Sequence, residues 1–235
     1  MKKTIPLEDR IIFALDVPAP EEAYRLVDLL GAEINFFKVG LELFLAGCWQ
    51  VVDHILERGH KVMLDLKFYD IPATVARAVT RVNTRAVSLA TIHGNEPIIE
   101  AAVGARGPEL KLLAVTVLTS FDPSDMKRMG LQGTIEDLVL MRAKKAIELG
   151  CDGIVASPQE AARLRQELGP DFIMVTPGIR PSSAQAGDDQ RRVATPYSAI
   201  KAGADHLVIG RPIRDADDPL EMARSIKDDI ERALS

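Results

Sequence analysis

The sequence predicts an α/β fold, a single (β/α)8 or TIM barrel, and three observations carry that expectation. Short apolar runs rich in Val, Ile, Leu and Phe recur along all 235 residues. Each is followed by a polar or glycine-bearing turn and then by a segment of helical period. No glycine-rich dinucleotide fingerprint follows the first run, where LDVPAPEEA stands instead, and this disfavours an open doubly wound sheet.

The first strand is read in IIFALDV near Ile11, and the helix after it in PEEAYRLVDLLG, which opens with proline and closes on glycine. FFKVG near Phe36 gives the second strand and KVMLDLK near Lys61 the third, with the helix ATVARAVTRV behind it. VSLATIH near Val87 and KLLAVTVL near Lys111 follow as the fourth and fifth strands. The helix IEDLVLMRAKKAIELG then leads to GIVAS near Gly153, and PQEAARLRQELG to FIMVTPG near Phe172. HLVIG near His206 completes eight. Strands this continuously apolar need cover on both faces, as in a parallel sheet wrapped by helices, and eight repeats in this length favour closure. One domain spanning residues 1–235 is expected, since composition shows no break.

Composition narrows the function. A hydrophobic content of 47% is enough for a sizeable core. The net charge of -5, with Lys and Arg scattered rather than gathered in a stripe, argues against a nucleic-acid surface but allows a small anionic ligand. Cys48 and Cys151 stand far apart with no metal-binding spacing, so neither a disulfide framework nor a zinc site is indicated. The N-terminal MKKTIPLEDR lacks an apolar stretch after its lysines, and no run approaches membrane-spanning length, which points to a cytoplasmic protein without membrane contact.

In such a barrel the reactive groups stand where strands meet their following loops. Asp16, Lys38, Asp65, Lys67, His93, Thr119 and Arg211 all fall at such ends and should converge on one mouth. Asp16, Lys38, Asp65 and Lys67 form an alternating row of acids and bases on three neighbouring strands. Alone, each suits a salt bridge closing the barrel. Together, opposite a phosphate site, they suit chemistry better, because clustered charge must be paired, solvated or used. That phosphate site is read in TPGIRPSSAQAGDDQRR after the seventh strand and IGRPI after the eighth, where barrels commonly hold phosphate. Amides at Gly210 and Arg211 and the Arg211 guanidinium can donate to phosphate oxygens, with Arg180 and Gln190 closing over them. His93 is read as a hydrogen-bonded barrel residue. Phe121, Met126 and Met129 should pack under the loop after strand five, and Trp49 against a helix.

The segment DLKFYDIPATV resembles the signature of the orotidine 5'-phosphate decarboxylase family, and the resemblance extends through FALDV, FFKVG, TPGIR and IGRPI over nearly the whole chain. It implies decarboxylation of orotidine 5'-monophosphate to UMP without metal or organic cofactor. By the same likeness Asp16 and Lys38 would hold the ribose hydroxyls, Lys38 would also orient Asp65, and Lys67 would be the catalytic lysine. Thr119, rather than its neighbour Ser120, would address the pyrimidine edge, while Arg180, Gln190, Gly210 and Arg211 would hold the phosphate. Asp70 and Thr74 would reach the site of a second copy, because the family's loop after the third strand crosses a dimer interface. A homodimer with shared active sites is therefore implied. The chain departs from the pattern in GNEP after His93 and in GDDQ where many relatives have GDQ.

Two rivals are weighed. Magnesium-dependent phosphosugar enzymes, of the 3-keto-gulonate 6-phosphate decarboxylase or hexulose phosphate synthase type, share D-x-K-x-x-D. They generally place a metal-binding glutamate where this chain has Lys38, and a lysine there repels a divalent cation. A silent barrel that only binds a phosphorylated ligand would need the phosphate loops but not Lys67.

Overall fold

The computed structural model describes residues 5–181 and 194–235. After a 3-10 turn at Leu7–Asp9 the chain alternates strand and helix. The first half comprises β1 (Ile11–Ala14), α1 (Pro20–Leu30), β2 (Phe36–Gly40), α2 (Leu41–Glu57), β3 (Lys61–Phe68), α3 (Pro72–Val82), β4 (Leu89–Ile92) and α4 (Glu96–Ala105). The second comprises β5 (Lys111–Val115), α5 (Pro123–Arg128), α6 (Ile135–Glu148), β6 (Gly153–Val155), α7 (Pro158–Leu168), β7 (Ile173–Thr176), α8 (Pro196–Lys201), β8 (His206–Ile209), α9 (Arg211–Arg214) and α10 (Pro219–Leu234). All eight strands pair in sequence order, and β8 pairs with β1, which closes a parallel barrel.

Alternation along each strand sorts side chains between two cores. Ile12, Phe36, Met63, Leu89, Leu113 and Val175 point to the axis and fill the barrel's interior. Their neighbours Ile11, Phe13, Phe37, Val39, Val62 and Leu64 point outward into the layer under the helices. Burying each such side chain stabilises the fold by about 1.5–3 kcal/mol before entropy is counted. Proline stands at the first turn of α1, α3, α4, α7 and α10, where its missing N–H costs no hydrogen bond.

The loop after β5 contains the short helix α5. Its start is fixed by Asp122, which accepts from Ser124 N at 2.8 Å and Asp125 N at 3.2 Å, while the Asp125 carboxylate accepts from Asp122 N at 2.9 Å. Met126 is buried there, but Met129 is 63% exposed, against expectation, because it caps α5 where the helix turns away at Gly130. Trp49 meets Phe44 edge-on and carries the Arg85 guanidinium over its ring, linking α2 to the segment after α3.

One irregularity interrupts the sheet. Leu64 pairs with Ala90 and Phe68 with Ile92, so β3 spends four residue steps where β4 spends two. The excess lies at Asp65, Leu66 and Lys67. Lys67 adopts φ 49°, a left-handed conformation that a lysine rarely takes.

Candidate active site

Four of the expected residues meet at the C-terminal end of the barrel. Lys38, inward-facing two residues beyond Phe36, places Nζ 2.8 Å from Asp16 Oδ1 and 3.7 Å from Asp65 Oδ2. Lys67 Nζ donates to Asp65 Oδ1 at 3.0 Å. Acid and base thus alternate from Asp16 through Lys38 and Asp65 to Lys67. Exposure rises outward from the centre of this row: the Lys38 side chain is 8% exposed and that of Asp65 14%, whereas Lys67 reaches 41%.

Asp65 is the electrostatic centre. Burial pushes its carboxyl upward, yet the charges of Lys38 and Lys67, with hydrogen bonds from Lys67 and Thr91, overcome that and hold it below the usual carboxylate range. It stays ionised at neutral pH. Thr91, the inward residue of β4, donates to Asp65 Oδ1 at 2.9 Å and accepts from the Lys67 backbone N–H at 2.9 Å.

These groups open into a cavity of about 340 Å³ lined also by Gly40, Leu41, Val117, Thr119, Pro177 and Val208. Thr119 therefore shares the space with Lys67. Gly40 leaves room for the Lys38–Asp16 pair: a Cβ there would stand 3.0 Å from Lys38 Nζ and 3.2 Å from Asp16 Oδ1, so the pair would have to shift to admit it. Gly210 has the same logic on the other side, since its Cβ would lie 3.1 Å from that of Ala14. Gly210 caps α9, at whose first residue Arg211 stands, and Arg214 of that helix donates to the Asp16 carbonyl at 2.6 Å.

The other expected residues are placed differently. Arg180 stands on the loop after β7, its backbone N–H donating to Ala194 O at 2.9 Å. Neither Arg180 nor Arg211 lines the cavity that holds Lys67. Gln190 lies outside the described residues. Asp70 and Thr74 also stand apart from their own chain's cavity: Asp70 is exposed and accepts from Ile71 N at 2.6 Å, and Thr74 accepts from Arg77 at 3.2 Å. His93 lines a separate cavity of about 580 Å³ with Tyr69, Asn95 and Arg142. Its Nδ1 is buried without a hydrogen-bond partner, in contrast to the bonded ring expected, and the Tyr69 ring packs against the imidazole edge-to-face with centroids 5.4 Å apart. Burial, then the charges of Arg142 and Lys67, hold His93 below its ordinary value and keep it neutral.

Thr91 and Gly40 were not singled out from sequence. The available signals were alternation in VSLATIH, which puts Thr91 on the face of the charged row, and a glycine closing FFKVG beside Lys38.

With this geometry in view, similarity to known proteins becomes specific. Residues 9–226 match the model of the orotidine 5'-phosphate decarboxylase / HUMPS family. An orotidine 5'-phosphate decarboxylase of Methylococcus capsulatus is 49% identical over 94% of this chain and 92% of that protein. One from Rhodopseudomonas palustris is 47% identical over 96% of each. Among solved structures, orotidine 5'-phosphate decarboxylase from Lactobacillus acidophilus superposes with a TM-score of 0.83 at 33% identity, covering 94% of this chain and 99% of its own.

Proposed function

The chain belongs to the orotidine 5'-phosphate decarboxylase / HUMPS family, and from that membership and the barrel mouth we infer that it converts orotidine 5'-monophosphate to UMP and carbon dioxide, the last step of de novo UMP synthesis. The observation that carries the reading is the Lys38–Asp65–Lys67 row, in which an ammonium facing the cavity is held 3.0 Å from a buried, ionised carboxylate.

The chemistry asks for that pair. When the bond from C6 to the carboxylate breaks, its electrons remain in an orbital in the ring plane, where the π system cannot take them up. Lys67 supplies positive charge where negative charge develops and donates the proton that completes UMP, leaving a neutral amine to be reprotonated from solvent. Two unit charges about 4 Å apart interact by about 4 kcal/mol at an effective dielectric of about 20, whereas enzymes lower barriers by about 8–23 kcal/mol. Lys67 is therefore one contributor among several. Asp65 orients it and, facing the substrate carboxylate, repels the ground state until carbon dioxide leaves. Asp16 and Lys38 take the ribose hydroxyls and Thr119 the pyrimidine edge. Gly210, Arg211, Arg180 and Gln190 take the phosphate, whose binding energy aligns the ring although it does not react.

No metal or organic cofactor enters this reading. Lys38 already places a cation between Asp16 and Asp65, where the magnesium-dependent phosphosugar enzymes want an acid.

Asp70 and Thr74 are assigned to the site of a second copy. Tyr69 and Ile71, on either side of Asp70, are 69% and 65% exposed, and a homodimer that covers this loop removes their apolar surface from water. We read residues 1–235 as one domain of a cytoplasmic enzyme. Among the described residues no helix is long and apolar enough to cross a membrane.

The test is direct. Purified protein given orotidine 5'-monophosphate with excess chelator should bleach the orotate ultraviolet band. Turnover that stops in chelator and returns with magnesium would overturn the cofactor-free assignment.

A further inference from the structure

We propose that Thr91 is a positioning residue for this reaction, its single hydroxyl fixing both the backbone and the ammonium of Lys67. The inference rests on the reading of Lys67 and Asp65 as the reacting pair. Its basis is a closed ring of hydrogen bonds: Lys67 N donates to Thr91 Oγ1 at 2.9 Å, Thr91 Oγ1 donates to Asp65 Oδ1 at 2.9 Å, and Lys67 Nζ returns to the same Oδ1 at 3.0 Å. One hydroxyl thus links the main chain of the lysine to the acid that aims its side chain. Thr91 is fully buried, so water has no access to replace it.

The ring sits where the backbone needs it. Lys67 and Cys48 are the two non-glycine residues with positive φ among those described, and at Lys67 the ladder to β4 is interrupted. Regular pairing would give the Lys67 N–H a carbonyl acceptor on β4. Here the Thr91 side chain accepts instead, stabilising a sparsely populated backbone conformation. A β-branched residue holds its hydroxyl in few rotamers, which suits a group that must accept from one partner and donate to another.

Hydroxyl loss and volume loss are separable by substitution. Thr91→Val keeps the shape and removes the hydroxyl, while Thr91→Ser keeps the hydroxyl. In Thr91→Val, kcat for orotidine 5'-monophosphate should fall about tenfold to a hundredfold with KM within about threefold, as expected for loss of a charge-assisted contact that aligns the proton donor. The acid limb of kcat should move to higher pH, because Asp65 loses a donor that favours its ionised form. Thr91→Ser should restore kcat to within about threefold. Equal losses in the two variants, or a lowered Tm with kcat and the pH limb unmoved, would overturn the proposal. If Thr91→Val does not fold, Thr91→Cys, close in size with a weak donor, is read by the same criteria. Lys67→Ala is assayed alongside: an active Lys67→Ala enzyme sinks the underlying reading, whereas an inactive one with a normal Thr91→Val enzyme sinks only the role of Thr91.

Discussion

The two ends of the barrel use the same residue types for opposite purposes. At the N-terminal end, carboxylates close the sheet. Asp9 accepts from Asn35 at 2.8 Å and Lys61 at 2.6 Å; Asp152 takes Arg106 and the Leu112 amide; Asp205 takes Arg165 at 2.7 Å and the Met174 amide at 2.9 Å. Two of these acids bond both a cation and a strand's backbone, so their charges are absorbed by structure. At the C-terminal end, Asp65 is paired with Lys38 and Lys67, which face a cavity, and both ends of the row, Asp16 at 58% and Lys67 at 41%, are exposed. Pairing at one end stabilises, and at the other it aims.

The comparison breaks if charge at the C-terminal end proves structural. Lys67→Ala should lower kcat by at least about ten-thousandfold, with the unfolding midpoint in urea changed by little, because Lys67 is half-exposed and holds no strand. A destabilised Lys67→Ala chain with good activity would reverse the assignment. Next in size is the shared site. Mixing inactive Lys67→Ala with inactive Asp70→Ala chains should recover up to about a quarter of wild-type activity, since half the dimers in a random mixture are hybrids with one intact site of two. Verified hybrids that stay inactive would remove Asp70 from the partner's site.

The N-terminal end makes the converse prediction. Asp205→Ala should cost about 2–4 kcal/mol of stability, by stranding Arg165 and the Met174 amide, while kcat of the folded protein stays within about twofold. Urea unfolding and single-turnover rates on the same preparation check both parts. The smallest effect is on pH. His206 is buried with Nδ1–H donating to the Asp9 carbonyl at 2.8 Å, and burial holds it below its ordinary 6.5. The unfolded chain therefore binds a proton that the fold refuses. Stability from this group is complete above pH 6.5 and is lost as pH falls toward its folded value, at up to about 1.4 kcal/mol per pH unit. Asp65, held below its ordinary 3.8, gives way only in stronger acid. His206→Gln should flatten the slope of stability as pH falls below 6.5, by about one proton at most. An unchanged slope would separate His206 from the acid sensitivity of that end.

The barrel was legible because its determinants are local and periodic: apolar runs, helical spacing, proline and glycine at helix ends. The charged row was legible for a related reason, since Lys38, Asp65 and Lys67 interrupt strands that are otherwise apolar. Thr91 escaped notice because a threonine inside a β-branched strand reads as ordinary strand filling, and its value lies in two partners 24 and 26 residues away. Gly40 shows its purpose only when a Cβ is imagined against Lys38 and Asp16. Asp70 stands out in the sequence as the third charge of D-x-K-x-x-D, but its role at a partner's site is implied by resemblance alone, and among the described residues it bonds locally, at Ile71.

The two surplus residues of β3 have a further consequence, which is arithmetical. Leu64 before the irregularity and Phe68 after it both face the helical layer. An even surplus preserves that parity. A surplus of one would have turned Phe68 toward the axis and the residues beyond it to the wrong side, scrambling the approach to α3. The lysine is thus housed in a detour that leaves the strand's phase intact, so the scaffold carries its reactive element without having to be rebuilt around it.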